Sequence, residues 1–103
     1  AAAEGENEEH TKLYPMFADV AEKEGFKEIA TLFRMIARVE VEHEKRYLKL
    51  AQNIEMGEVF KKSSTVKWKC LNCGYVHEGP EAPEKCPSCL HPKAYFAIKE
   101  ENY

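Results

Sequence analysis

From Ile29 to Ile54 one pattern repeats without a miss. Ile29, Phe33, Ile36, Glu40, His43, Tyr47, Leu50 and Ile54 follow at alternating steps of four and three. Such steps put all of them on one stripe and predict a long helix packed against other helices. Most of these residues suit an apolar interface, but Glu40 and His43, at its centre, do not. An unpaired carboxylate in a bundle interior is costly, or takes up a proton. Two readings are open: the pair satisfies itself or faces a wet seam, or it binds metal. Glu-x-x-His on an inward helix face is the ligand pattern of carboxylate-bridged two-metal sites in four-helix bundles.

The N-terminal stretch decides between them. Ala2, Glu6, Glu9, Leu13, Met16 and Val20 keep the same spacing, so residues 1–24 are expected as a first helix. Pro15 should bend it, by removing one hydrogen bond and crowding the carbonyl of Thr11. Gly25 closes this helix as a left-handed cap and Phe26 begins the next, so the join admits only an antiparallel hairpin. Counted from Gly25, Glu9 lies 16 residues before and Glu40 15 after, while Glu6 lies 19 before and His43 18 after. On antiparallel helices rising about 1.5 Å per residue, those positions face each other. Four metal-competent side chains therefore meet at one level, which favours metal.

The second helix runs about 15 residues past Glu40, whereas the first has only five before Glu6, with roughly 1.5 Å of rise for each. Helices of a bundle match in length, so one to three turns are expected to be missing upstream. Two helices cannot enclose their own seam either. The expectation is half of a four-helix bundle, completed by an identical copy or by a separate polypeptide. The first residue is Ala1 rather than Met, so a processed, cleaved or shortened N-terminus is expected.

Charged residues make up 32% of the chain, yet the net charge is −3. Interspersed signs describe a solvated surface and exclude the broad basic field that nucleic acid needs. The cluster Lys61, Lys62, Lys67 and Lys69 is read as solvated linker and strand edge. No apolar run approaches the roughly 20 residues of a membrane span, and no secretory signal pattern is present.

Gly57 is expected to cap the long helix, followed by a linker over 58–65 and a small β-rich module over 66–103. So short a module needs a staple. Cys70-Leu-Asn-Cys73-Gly74 and Cys86-Pro-Ser-Cys89 supply it as two C-x-x-C knuckles separated by 12 residues. Four thiolates so arranged hold zinc or a single iron tetrahedrally, and imply a reducing compartment. Gly74 stands where the first knuckle needs a positive φ. The ligands alone leave iron and zinc open. With four cysteines completing the shell, His77 and His91 are read as exposed loop histidines.

These pieces together resemble the rubrerythrin family along essentially the whole chain. The resemblance is carried by Gly5-Glu6-Asn7-Glu8-Glu9 with Leu13-Tyr14-Pro15, by Glu40-Val41-Glu42-His43-Glu44-Lys45-Arg46, and by the segments Trp68 to Gly79 and Cys86 to Cys89. It implies a ferritin-like di-iron helix pair over 1–57, a linker over 58–65 and a rubredoxin-like Fe(Cys)4 module over 66–103. Glu6, Glu9, Glu40 and His43 would be di-iron ligands. Glu9 would match the carboxylate that leaves its iron on reduction, and Tyr14 a tyrosine near the site. Cys70, Cys73, Cys86 and Cys89 would hold one iron, or zinc.

The implied activity is a cytoplasmic, NAD(P)H-linked peroxidase that reduces hydrogen peroxide to water, fed by a rubredoxin or a reductase. The family's first helix pair is missing here. Its two pairs are pseudo-repeats and are exchanged between subunits, so a second chain and an oligomer are implied. Two other functions are compatible with the residues: a ferroxidase or iron-handling protein, and a non-enzymatic zinc-ribbon interaction module. The first leaves the attached one-electron module unexplained, and the weakly acidic balance speaks against the second.

Overall fold

The computed structural model describes residues 1–103, in the element order α1 (Ala2–Glu8), a π-turn (Glu9–Leu13), α2 (Tyr14–Lys23), α3 (Lys27–Glu55), β1 (Lys61–Cys70), β2 (Val76–Glu81), a 3-10 turn (Lys93–Tyr95) and β3 (Phe96–Ile98). The chain forms two compact units, Ala1–Gln52 and Asn53–Tyr103. The first is the helical hairpin and the second a small β module, as the sequence predicts.

The first helix is not one continuous α-helix bent at Pro15. It widens instead. The N–H of Tyr14 bonds to the carbonyl of Glu9, five residues back. In an α-helix the carbonyl of Thr11 would look for an N–H on Pro15, which has none, and would meet its ring. One extra residue in the preceding turn resolves this, and such π-turns frequently mark functional sites. The insertion also rotates everything beyond it. Met16 and Val20, expected on the seam, are 52% and 49% exposed, while Ala18 and Ala21 are at 0% and 7%. After the π-turn, Tyr14 joins the half-buried Leu13 on the inward side. Its ring lies 6.1 Å from Phe33 and 6.0 Å from Phe17.

Both long elements end by local chemistry. Phe26 N–H bonds to Ala21 O at 2.8 Å and Gly25 N–H to Glu22 O at 3.1 Å, with Gly25 at φ 86°. That is the Schellman arrangement, which a Cβ at Gly25 would oppose. Asn53 to Glu58 repeats it at the end of α3. Phe26, expected to begin the second helix, precedes its first residue Lys27. Ala30 is the one buried residue of α3. Ile29, Tyr47, Leu50 and Ile54 of the predicted seam stay exposed in this chain. No helix is long and apolar enough to cross a membrane.

In the second unit β1 is central, with strand order β2-β1-β3 and both pairings antiparallel. Lys61–Thr65, expected as linker, is strand. Lys61 pairs with Glu81, and an irregularity separates it from the regular register that begins at Val66↔Gly79. The core is Trp68, Cys70, Ala82, Cys86 and Phe96. Trp68 is closed off by donating its indole N–H to the carbonyl of Gly79 at 3.0 Å.

Candidate metal centres

The two cysteine knuckles are backbone copies of each other. Gly74 N–H bonds to Cys70 O at 2.8 Å, as Leu90 N–H does to Cys86 O at 2.9 Å. Cys70 N–H bonds to Tyr75 O and Cys86 N–H to His91 O, both at 2.8 Å. The strand β1 delivers Cys70 at its end, so sheet and knuckle share that residue. All four sulfurs lie within 4.8 Å of one another. Cys70–Cys89 and Cys73–Cys86 are each 3.6 Å apart, too far for disulfides. A tetrahedron of metal–sulfur bonds near 2.3 Å has edges of about 3.8 Å. The donors therefore fit a four-coordinate ion.

The charges say the same. Cys89 is drawn down to about 5, first by the backbone N–H of His91 and then, against burial, by the Asn72 amide. The N–H of Tyr75 favours the Cys73 thiolate, yet burial and the three neighbouring sulfurs outweigh it and push Cys73 up to about 11. Thiolates so crowded repel one another, and a cation is what allows all to ionise. His91 is half-buried rather than a free loop residue, with its ring 4.5 Å from that of Tyr95.

The repeat exposes one strained residue. Leu90 has φ 66°, at the position where the first knuckle has Gly74 at 87°. Its side chain is largely exposed, so little packing offsets a left-handed cost of about 1–2 kcal/mol. Leu90→Gly should raise the stability of the metal-bound module by roughly 0.5–1 kcal/mol, the gain reduced by the added freedom of the unfolded chain. Leu90→Ala, which keeps the Cβ, should not. Urea melts at saturating metal compare the two, and equal midpoints would refute the strain.

In the helical unit Glu6, Glu40 and His43 offer one ligand atom each within 4.8 Å. Antiparallel α1 and α3 bring them together at the predicted level. His43 Nδ1 is 2.8 Å from Glu40 Oε2 and 3.6 Å from Glu6 Oε2. Glu9, predicted as the fourth ligand, is not in this group. It sits at the start of the π-turn, close enough for its charge to act on Glu6. Tyr14 stands beyond it against Phe33.

Glu6 Oε2 is buried without a hydrogen-bond partner, so a proton or a cation belongs there. Without metal, Glu6 is pushed up to about 7, mainly by the hydrogen bond that its proton makes to Glu40, with burial adding to it. Glu40 accepts that bond and is held low. His43 is held above its ordinary range by its bond to Glu40. An orphaned carboxylate oxygen, a second carboxylate and an imidazole fit a divalent ion.

Because Glu6 binds its proton more tightly folded than unfolded, the stability it contributes is full below 4.5 and lost as pH rises through about 7. Metal must expel the same proton. Because His43, also held above its ordinary range, must lose its proton as well, affinity of this site for Fe(II) or Co(II) should climb at least about tenfold per pH unit below about pH 7 and flatten only once both groups are deprotonated. Calorimetric titrations in buffers of different ionisation heat count the protons released. Affinity independent of pH between about 6 and 8 would reject the shared proton.

The sequence reading missed His10, whose Nε2 lies 3.1 Å from Glu44 Oε1, and the Asn72 amide beside Cys89. The first depends on the π-turn. The second could have been suspected from Asn72 lying inside the Cys70–Cys73 loop.

Residues 1–64 match the family model described as rubrerythrin, and residues 68–97 the one described as rubrerythrin, rubredoxin-like domain. The chain is 61% identical over 102 residues to a rubrerythrin of Clostridium perfringens, covering 99% of this chain and 52% of that protein. It is 56% identical over 103 residues to a putative rubrerythrin of Methanocaldococcus jannaschii, covering 100% of this chain and 50% of that protein. It thus spans about half the length of the curated relatives it matches. Among solved structures, nigerythrin in a fully reduced, all-ferrous state is similar at 33% identity and a TM-score of 0.51, covering 95% of this chain and 46% of that one.

Proposed function

The chain belongs to the rubrerythrin family, and from that premise we propose that it supplies half of the di-iron site and the one-electron centre of a cytoplasmic peroxidase reducing hydrogen peroxide to water. The observation that carries this reading is the pairing, in one chain, of a carboxylate–imidazole cluster having an orphaned oxygen with a four-sulfur cage. A ferroxidase would use the first and leave the second idle. The all-ferrous state named for nigerythrin supports iron over zinc.

Each peroxide needs two electrons and two protons to become two waters. When bound, iron supplies Lewis acidity and electrons in the helical site and single-electron transfer at the cysteines. Glu6, Glu40 and His43 would hold one ion of a pair. Glu9, at the start of the π-turn and within reach of Glu40, would serve the second together with residues of the missing helices. Tyr14, one wide turn beyond Glu9, and Glu9 itself are the groups that would carry protons to the departing oxygens. Electrons would come from a rubredoxin or an NAD(P)H-dependent reductase. The exposed residues Ile29, Tyr47, Leu50 and Ile54 call for a second chain, identical or different, carrying another Glu and Glu-x-x-His inward.

The protein purified anaerobically should be red, bleach with dithionite, consume peroxide, and run above 11.9 kDa in native mass spectrometry. A colourless protein with one zinc per chain that cannot be reconstituted with iron would defeat the electron-carrier role. A folded monomer retaining two helix-bound irons would defeat the shared site.

A further inference from the structure

We propose that His10 and Glu44 form a clamp that holds the π-turn against α3 and so positions Glu9 and Tyr14; this rests on the metal reading above. A π-turn has poorer backbone geometry than an α-helix and needs outside support. Besides the approach of Glu9 to Glu40, the turn Glu9–Leu13 is tied to the facing helix by a side-chain hydrogen bond from His10 Nε2 to Glu44 Oε1 at 3.1 Å. Both side chains are largely withdrawn from solvent, at 16% and 20% exposure. The other side-chain hydrogen bond of the turn, from Thr11 Oγ1 to Asn7 O, stays within its own helix.

The clamp lies beside the site and outside it. His10 follows Glu9 and Glu44 follows His43, and consecutive helical residues point about 100° apart. Although both are ligand-forming types, neither belongs to the group of Glu6, Glu40 and His43. The pair therefore fastens the two helices at the level where Glu9 and His43 are presented. The width of the turn decides what stands beyond Glu9. With five residues to the turn it is Tyr14, whose N–H bonds to Glu9 O. If the turn relaxed to an α-helix, Leu13 would take that place and Tyr14 would swing off the face it shares with Phe33. A hydrogen bond in a second layer is worth a large factor in affinity although it never touches the ion.

The test uses the full chain in its native assembly. Co(II) is titrated and followed by its visible bands, and amide hydrogen exchange is measured on the metal-free protein. With the cysteine site already filled by iron or zinc, His10→Ala should leave the tighter helical Co(II) equivalent within about threefold and weaken the second helical one about 10- to 100-fold. It should also speed exchange of the Tyr14 amide about tenfold or more relative to Ala21 and Ala30. His10→Gln, which can still donate to Glu44, should restore both. Glu44→Ala opens the same bond from the other helix and serves if His10→Ala does not fold.

Unchanged Co(II) binding and unchanged Tyr14 exchange in His10→Ala would overturn the clamp. So would equal weakening of both equivalents with uniformly faster exchange along the hairpin, which is the signature of a merely structural bond. If the wild type takes no Co(II) in the helical unit, the metal reading fails, while the exchange comparison still decides whether the clamp exists.

Discussion

Replacing both Cys70 and Cys86 by alanine is expected to unfold the C-terminal unit outright. These two ligands are fully buried and are also two of the five residues in its core, with Trp68, Ala82 and Phe96. A core of that size does not offset the ordering of about fifty residues. Four-thiolate sites contribute on the order of 10 kcal/mol of folding free energy through the metal, more than a small domain has to spare. Trp68, the single tryptophan, is 1% exposed and reports the outcome directly. Its emission should shift to the red in the variant, and also in the wild type after reduction and chelation. Returning metal should reverse the shift only in the wild type. Blue-shifted emission in the metal-free variant would mean that the apolar core suffices and the cysteines are not its staple.

What the sequence made legible was whatever is decided locally. Gly25, Gly57 and Gly74 take positive φ, because a cap or a tight turn demands it and the residue type announces it. The meeting of Glu6, Glu40 and His43 was readable because straight antiparallel helices convert residue counts into height. That conversion holds on α1 and α3 and still brings Glu9 to Glu40, but it fails beyond Glu9, where the helix changes pitch. Pro15 signalled trouble, but a lone proline does not say whether the chain will bend or take up an extra residue. The exposure of Met16 and Val20 and the His10–Glu44 bond both follow from that one insertion.

Elsewhere the information lay in a partner distant along the chain. Lys61-Lys62-Ser63-Ser64 looks like solvated linker until Glu81 comes opposite Lys61 in the sheet. Leu90 looks unremarkable until the second knuckle is superposed on the first and falls where glycine stands. Position 90 could have been found from sequence by aligning the two C-x-x-C segments, since the repeat carries its backbone conformation with it.

Glu40→Ala should separate the cost of the helical site from its use. In the metal-free protein Glu40 accepts the proton of Glu6 and lies 2.8 Å from His43 Nδ1. Its carboxyl is held below the usual range and so stays charged beside a second carboxylate, an arrangement that serves metal better than it serves the fold. Removing it relieves Glu6 of a neighbouring negative charge, so Glu6 should return toward ordinary carboxylate behaviour. Above about pH 7 the metal-free melting temperature should then stay level or rise, and its decline between pH 4.5 and about 7 should flatten, because the proton shared with Glu40 no longer adds stability at the acid end. With Fe(II) present the order reverses. A ligand that binds only the folded state stabilises by about 2.7 kcal/mol at a hundredfold excess over Kd; under the proposed function the variant should forfeit this together with helical iron and peroxide turnover. A structural ion pair would behave otherwise, since deleting one partner strands the other and destabilises with or without metal. Paired melts of wild type and variant, each with and without Fe(II), therefore discriminate. An equal drop in both conditions would mean that Glu40 serves the packing of the hairpin and that the orphaned oxygen of Glu6 awaits a proton rather than a metal.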